Sequence, residues 1–158
     1  MVALWFCAVA PASQLFNNLS ANGKLVAYIS GREVVVVPDV SVTSNSASPS
    51  IVKVQDKDSA LIQQIRFISP PDVPVELLAI ASFRSLQLFS ADGKKLLHSV
   101  PLASSSGEDR PYFQGLAGCR SHVYAGSSTG DIYRVAVTGA GPTFGTYVVG
   151  KVRLRLAK

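Results

Sequence analysis

The sequence predicts an all-β protein. Its apolar residues alternate with polar ones or run in short blocks, and clusters of Gly, Pro, Ser and Asn separate these blocks. Three dipeptides, Asn22-Gly23, Asp92-Gly93 and Thr129-Gly130, supply residues that tolerate positive φ in tight hairpins. Neighbouring strands are therefore expected to pair antiparallel.

One outline occurs three times along the chain: an apolar strand that ends in a small residue and Ser, a short turn, and a second apolar strand. The three copies lie at 24–37, 76–89 and 122–135. Their matching residues Val34, Leu86 and Ile132 are separated by about 52 and about 46 residues, close to the roughly 40 to 50 of a β-propeller blade. The repeat therefore predicts a propeller architecture.

Each copy can be extended to four strands. A preceding strand is predicted at 15–20, 62–68 and 112–117, and a following strand at 51–54, 96–100 and 143–149. The sequence thus predicts a β-propeller portion of about three four-stranded antiparallel blades, with approximate bounds 15–54, 62–100 and 112–149. Polar loops rich in Ser, Pro and Gly are predicted at 41–50, 70–74 and 104–110.

Three blades are fewer than the four to eight that close a propeller ring, so an incomplete ring is expected. Residues 1–10 have no hairpin partner in the sequence and are interpreted as a possible ring-closing strand. A secretory signal peptide is the alternative for this segment. However, a positively charged amino-terminal region is missing, and Pro11 would directly follow the cleavage site. We also expect the natural protein to continue beyond Lys158.

The run Ala125-Gly126-Ser127-Ser128-Thr129-Gly130-Asp131-Ile132-Tyr133-Arg134-Val135 follows a pattern of small residue, Ser, turn with Gly, β-branched residue and aromatic residue. In this it resembles the middle of a blade in the WD-repeat superfamily. More narrowly, the segments 17–20 and 115–117 are similar to the amino-terminal part of the WD repeat-containing protein 54 family. The resemblance implies a propeller that binds other proteins and has no catalytic role.

The chain departs from this superfamily at its signature dipeptides. The Gly-His pair that begins many WD repeats is missing. At the positions where such repeats have Trp-Asp, this chain has Val37-Pro38-Asp39, Phe89-Ser90 and Val135-Ala136. A typical repeat links its strands through buried Asp, His, Ser and Trp, and only the serines at Ser30, Ser82 and Ser127 can be carried over. The blades are therefore expected to be held mainly by apolar packing.

Composition limits the classes of protein that fit. The chain is 47% hydrophobic, carries a net charge of +5 and has a pI near 9.4, which permits contact with acidic partners. No apolar run approaches the roughly 18 residues of a membrane-spanning helix, so no membrane contact is predicted. Cys7 and Cys119 each lie in an apolar stretch and are predicted to be buried free thiols in a reducing, cytoplasmic setting.

No catalytic residue, cofactor site or metal site is predicted. The two histidines, His98 and His122, have no spacing to Cys or to each other that suggests zinc, and both are interpreted as structural or surface positions. The glycines at 139–141 and Gly145 are interpreted as a hairpin connection, because the helix and the Lys-Ser or Lys-Thr ending of a phosphate-binding loop are missing.

Four basic residues alternate with apolar ones near the end of the sequence. Lys151, Arg153, Arg155 and Lys158 would place positive charges along one face of a strand. They are the candidate partner-binding residues, for an acidic surface such as that of tubulin or for nucleic acid. The alternative is a solvated strand edge whose charges prevent mispairing. Nucleic acid is disfavoured, because the basic residues of the chain form no concentrated patch.

These observations predict a non-catalytic protein-interaction scaffold of the WD-repeat type, located in the cytoplasm. The loops at 41–50, 70–74 and 104–110 are the expected contact regions. A structural subunit of a larger ciliary, cytoskeletal or other assembly, joined through its open edge strands, is the alternative. A hydrolytic propeller enzyme is disfavoured, because acids or metal ligands do not recur between the blades. The remaining blades of the ring, or a partner chain, are expected to cover the open edges.

Overall fold

The structure of the chain, a computed structural model, describes residues 18–38, 48–55, 61–102, 111–139 and 142–151. Within these residues the chain forms twelve β-strands and no helix. The predicted all-β class is therefore confirmed. Nothing in this described part provides a helix of the length and hydrophobicity that a membrane crossing requires. The segment 1–10, interpreted above as a possible ring-closing strand, lies outside the described residues.

The strands form three four-stranded sheets, each built from consecutive strands that pair antiparallel. The first sheet contains β1 (Leu19–Ala21), β2 (Leu25–Ser30), β3 (Glu33–Pro38) and β4 (Ser50–Lys53). The second contains β5 (Ile62–Ile68), β6 (Leu77–Ser82), β7 (Ser85–Ser90) and β8 (Leu96–Pro101). The third contains β9 (Phe113–Cys119), β10 (His122–Ser127), β11 (Asp131–Thr138) and β12 (Thr143–Lys151).

The three sheets stack in chain order through their first strands. β1 packs beside β5, and β5 packs beside β9. Hydrogen bonds join these strands: the Phe67 N–H donates to Ser20 Oγ at 3.0 Å, and the Gly115 N–H donates to Gln64 Oε1 at 2.9 Å. β1, β5 and β9 are therefore the inner strands of the stack, and β4, β8 and β12 are the outer strands.

Two apolar clusters fill the spaces between the sheets. The cluster between the first and second sheets contains Ala27, Ile29, Val34, Val36, Val52, Ile65, Leu78, Ile80 and Phe89. The cluster between the second and third sheets contains Leu77, Ala79, Leu86, Leu88, Phe113, Leu116, Val123 and Val135. Because successive residues of a strand point to opposite faces, the second sheet contributes to both clusters. Every residue of β6 is consequently buried, which explains its nearly continuous apolar sequence.

The predicted hairpin glycines occupy the turns that the sequence assigned to them. Gly23, Gly93 and Gly130 have φ values of 83°, 73° and 86°. At Gly93 a second constraint excludes other residues, because a Cβ at this position would collide with Cγ2 of Val52. The turn between β7 and β8 therefore lies directly against β4, and only glycine allows this close contact of the first two sheets.

A buried hydrogen-bond network accompanies the apolar packing of the second sheet. Ser82 Oγ accepts the N–H groups of Arg84 at 3.0 Å and Ser85 at 2.9 Å. Gln87 Nε2 donates to Ser85 Oγ at 3.1 Å, and the Gln55 N–H donates to Gln87 Oε1 at 3.0 Å. Since Gln55 follows β4, this network links the first sheet to the second. Ser82 was expected in such a network from the resemblance, whereas Gln87, whose amide links the two sheets, was not predicted.

The predicted burial of Cys119 is wrong, because its thiol is free and exposed. Gly118 faces the second sheet, since a Cβ there would collide with Cγ2 of Ile68. The next residue along a strand points to the opposite face, so Cys119 lies on the side of the third sheet that faces away from the stack. Cys7 lies outside the described residues.

Candidate interaction surfaces

The turn between β6 and β7 consists of Phe83 and Arg84, and the segments on either side of it hold its backbone. The Phe83 N–H donates to the Leu61 carbonyl oxygen at 3.1 Å, just before β5 begins. The Leu102 N–H donates to the Arg84 carbonyl oxygen at 2.8 Å, just after β8 ends. Both residues of the turn are therefore fixed in position at one end of the second sheet.

Two aromatic rings meet at this turn. The ring centres of Phe83 and Tyr112 are 5.2 Å apart, and the rings are tilted by 53°. Tyr112 leads into β9, and its carbonyl oxygen accepts the Ser128 N–H at 2.8 Å, so the aromatic pair spans the second and third sheets. Leu61 is 52% exposed and Arg84 is exposed. We name Leu61, Phe83, Arg84 and Tyr112 the rim surface.

The composition of the rim surface is typical of protein-binding sites. Aromatic residues and Arg are enriched among the residues that contribute most to binding energy at protein interfaces. Because the backbone of the turn is already held by hydrogen bonds, a partner would lose little binding energy to ordering it. The rim surface is therefore the best-organised candidate for contact with another protein.

The first sheet has an open face, which is the face directed away from the second sheet. The cross-strand partners Leu19, Tyr28, Val35 and Ile51 form a row on this face across all four strands. Their sequence neighbours Ser20, Ala27, Ile29, Val34, Val36 and Val52 point to the second sheet instead. Leu19 is 59% exposed and Ile51 is 61% exposed. The open face of the first sheet is therefore apolar.

The open face of the third sheet has a different chemistry. Tyr124, Arg134 and Tyr147 are cross-strand partners on β10, β11 and β12 and form a row on this face. The guanidinium carbon of Arg134 lies 5.4 Å from the centre of the Tyr147 ring. The ring of His122 lies 6.0 Å from that of Tyr124 on the same face. This face is aromatic and carries a positive charge.

His98 occupies a structural position between the outer strands of the second and third sheets. Its ring, on β8, stacks on Phe144 of β12 with ring centres 5.0 Å apart. Its Nε2 shares a hydrogen bond with Thr146 Oγ1 at 2.8 Å. The interpretation of His98 as structural is therefore confirmed, and partial burial lowers the pKa of its ring below the usual value.

The lowered pKa of His98 predicts that the fold loses stability in mild acid. The folded chain binds this proton less readily than the unfolded chain, so stability decreases as the pH falls below the usual histidine pKa of about 6.5. Thermal unfolding followed between about pH 7.5 and pH 5.5, around that pKa, should show this decrease in the wild type and a flatter profile in His98→Gln. Ile51→Ala, which changes an exposed residue of the first sheet without a titratable group, is the control and should keep the wild-type profile. An unchanged slope in His98→Gln would contradict the assignment.

Comparison with known proteins supports the architecture. No protein-family model matches the chain, and no curated protein matches it. Among solved structures, a chain of the "Crystal Structure of Mitotic Checkpoint Complex" aligns with 85% of this chain at a TM-score of 0.57 and 18% identity. The three four-stranded sheets are blades of an incomplete β-propeller. At this identity the similarity establishes the fold alone, and the chain spans 37% of the solved chain's length.

Of the candidate partner-binding residues predicted from the sequence, only Lys151 belongs to the described residues. Lys151 ends β12, opposite Asp131 in the register, and its side chain is not among those described. Arg153, Arg155 and Lys158 lie outside the described residues. Their role in binding stays a prediction, because three of the four residues lie outside the described part of the chain.

The predicted loops are described only in part. Residues 41–47 and 104–110 lie outside the described residues. In the loop at 70–74, Asp72 is exposed while Val73 is buried and donates its N–H to the Pro70 carbonyl oxygen at 3.1 Å. Gly139, with a φ of 79°, follows β11, which pairs antiparallel with β12, so a hairpin joins these two strands as predicted. The placement of Gly145 in the connection is wrong, because Gly145 lies within β12 opposite Ala136.

Sequence reasoning missed the rim surface and Arg134. A two-residue turn between strands normally contains Gly, Asn or Asp. The unusual pair Phe83-Arg84 in such a turn could therefore have indicated a functional surface from the sequence. The contact of Phe83 with Tyr112 left no signal, because it depends on how neighbouring blades stack. Arg134 stands at the strand position where the other two repeats have Val36 and Leu88, and that contrast was also visible in the sequence.

In the described part of the chain, no group of three or more His, Cys, Asp or Glu is placed to hold a metal ion.

Proposed function

We propose that the chain is part of a non-catalytic protein-interaction scaffold of the WD-repeat type, most similar to the amino-terminal part of WD repeat-containing protein 54 and located in the cytoplasm. The observation that carries the proposal is the rim surface, where the Phe83–Tyr112 pair and Arg84 are held on a rigid stack of blades. The similar solved chain comes from a complex, which supports binding to other proteins. The exposed free thiol of Cys119 supports a reducing compartment.

The rim surface indicates the kind of partner that it binds. The tilted rings of Phe83 and Tyr112, together with exposed Leu61, offer apolar area for an aliphatic or aromatic side chain. Arg84 adds a positive charge beside this area, and the chain as a whole has a net charge of +5. A partner segment with an apolar anchor next to acidic residues fits both properties.

The experiment compares the proteins retained by the purified chain and by variants of it. Phe83→Ser combined with Tyr112→Ser removes the rings, and Ile51→Ser is the matched control that removes an exposed apolar residue elsewhere. Specific partners should bind the double variant at least about tenfold more weakly, as expected for loss of a central aromatic contact, and should bind the control normally. Thermal unfolding verifies that both variants remain folded. Equal retention by all three proteins would overturn the proposal.

A structural subunit joined by strand addition is the second candidate function. β12 has nine residues, whereas the outer strands β4 and β8 have four and six. Tyr147 is 54% exposed and Val148 is 60% exposed on this strand. An outer strand presents unpaired N–H and C=O groups to which an extended segment of a partner can bind.

Amide hydrogen exchange distinguishes the two candidates. With a retained partner bound, strand addition should protect the amides of 143–151, because the partner backbone accepts their hydrogen bonds. Binding at the rim surface should instead protect the segments around Phe83 and Tyr112 and leave β12 unchanged. Protection of β12 that persists in the double rim variant would favour the structural subunit.

A further inference from the structure

We infer that the end of the stack that carries the rim surface binds an extended acidic segment of another protein, with one carboxylate on Arg84 and a second on Arg32. The inference rests on the proposed function, because Arg84 belongs to the rim surface. It deepens that proposal by adding a contact on the first blade. Three observations carry it: the matching positions of the two arginines in the repeat, their exposure, and the spacing of the blades.

The repeat places Arg32 and Arg84 at the same position in neighbouring blades. Each is the second residue of the two-residue turn that joins the second and third strands of its blade. The chain leaves the first blade through β4 at the end where its turn lies, since Lys53 pairs with Glu33 in the register. It enters the second blade at the end of the β6–β7 turn, where the Leu61 carbonyl oxygen accepts the Phe83 N–H. Both turns therefore lie at the same end of the stack.

Both arginines are exposed, and their positions do not depend on the outer faces of the end blades. The backbone of Arg84 is fixed, because its N–H donates to Ser82 Oγ at 3.0 Å and its carbonyl oxygen accepts the Leu102 N–H at 2.8 Å. A guanidinium has five N–H donors, so it can bind a carboxylate through two of them while others keep contacts within the chain. A partner would therefore have to order only the ends of two side chains.

The distance between blades fits an extended segment. Packed sheets lie about 10 Å apart, and an extended chain rises about 3.3 Å per residue. Three residues of an extended segment therefore cover roughly the distance from one turn to the next, and a long arginine side chain can reach to either side. Two acidic residues that are separated by two to four positions can hence contact Arg32 and Arg84 at the same time.

The neighbouring residues give the bound segment a direction. The aromatic pair of the rim surface lies between the second and third blades. In the third blade, Thr129 follows β10 at the place of the two arginines, and Asp131 comes shortly after it. The carboxylate of Asp131 disfavours an acidic residue there. The segment should therefore place an apolar residue on the aromatic pair, a first acidic residue on Arg84 and a second on Arg32.

The charges at this end of the stack favour a protein segment over nucleic acid. Glu33 follows Arg32 directly and pairs with Lys53 at 3.3 Å, so that pair adds no net charge. Asp131 adds a negative charge on the third blade. Nucleic acid binds to surfaces with several positive charges, and these carboxylates would repel its continuous row of phosphates. A peptide can instead place its acidic residues only where the arginines are.

The test selects binders from a library of random displayed peptides with the purified full chain and with Arg32→Gln, Arg84→Gln and Lys24→Gln. Lys24 is exposed in the turn between β1 and β2, at the opposite end of the first blade, and is the matched control for loss of one positive charge. Peptides enriched by the wild type and by the control should share an apolar residue and two acidic residues that are two to four positions apart. Each arginine variant should lose enrichment of one of the two acidic residues. Enriched peptides without the acidic pair, or no enriched peptide, would overturn the inference.

Double-mutant cycles with one selected peptide then assign each contact. Each arginine variant should bind the peptide about threefold to tenfold more weakly, as expected for exposed charge-assisted hydrogen bonds. Changing the acidic residue far from the apolar anchor to its amide should have almost no further effect on Arg32→Gln, because the two groups act as a pair. The acidic residue near the anchor should be coupled to Arg84 in the same way. Additive losses in both cycles would contradict the inference.

The double variant Phe83→Ser and Tyr112→Ser separates failure of this inference from failure of the proposed function. If the double variant loses the peptide but Arg32→Gln binds it normally, the proposed function stands and the inference is wrong. If the double variant binds the peptide as well as the wild type does, the rim surface is not the binding site, and both are wrong. A single-stranded DNA oligonucleotide that binds the wild type but neither arginine variant, without enrichment of acidic peptides, would also overturn the inference.

Discussion

Replacing Phe113 with alanine is expected to lower the free energy of unfolding by about 3 to 5 kcal/mol. Phe113 is fully buried between the second and third blades, and its ring forms a T-shaped pair with the Tyr133 ring at a centre distance of 5.0 Å. Removing the ring loses this contact and leaves a cavity that the two sheets cannot fill, because their backbones are fixed by hydrogen bonds. Urea denaturation measures the loss as a lower midpoint.

The matched control for Phe113 is Ile51→Ala. Ile51 is 61% exposed on the open face of the first blade, so its truncation should change stability by no more than about 0.5 kcal/mol. If the two variants lost similar amounts of stability, the second and third blades would not be packed on each other as described.

Replacing Gln87 with alanine is expected to lower the free energy of unfolding by about 2 to 4 kcal/mol. The amide of Gln87 is fully buried, donates to Ser85 Oγ and accepts the N–H of Gln55. The variant leaves a cavity and removes the acceptor of a backbone N–H group. Urea denaturation is again the measurement, with the slope used to verify that the unfolding reaction is unchanged.

A second variant, Gln87→Leu, separates the two contributions. Leucine restores most of the side-chain volume but none of the hydrogen bonds, so its expected loss of about 1 to 3 kcal/mol reports the polar part alone. If Gln87→Leu is as stable as the wild type, the hydrogen-bond network does not contribute to the fold, and apolar packing is sufficient as the sequence suggested.

The strands could be predicted from the sequence because local signals determine them. The strand predicted at 62–68 is observed at Ile62–Ile68, and the positive-φ glycines Gly23, Gly93 and Gly130 end their strands as expected. These signals are the alternation of side chains along a strand and the few residues that a tight turn accepts. Both act within a few residues of the chain.

Contacts between blades could not be predicted in the same way. Phe83 and Tyr112 meet only because the second and third blades stack in a particular register. The exposure of Cys119 depends on which face of β9 points to the stack, and an apolar sequence around a cysteine does not specify a face. The register shift between Ala125 and Gly126, where β10 pairs with β9, changes the pairing further and also has no clear sequence signal. Burial of single residues therefore required the structure.

The second blade has two packed faces, whereas the first and third blades each have one within the described chain. In a linear array of repeats, stability is close to a sum of the intrinsic stability of each repeat and the coupling between nearest neighbours. Detaching an end blade breaks one coupling, but losing the middle blade breaks two. Unfolding should therefore start at the ends and proceed inward. A protein that covers the open face of an end blade would close the route by which this chain unfolds.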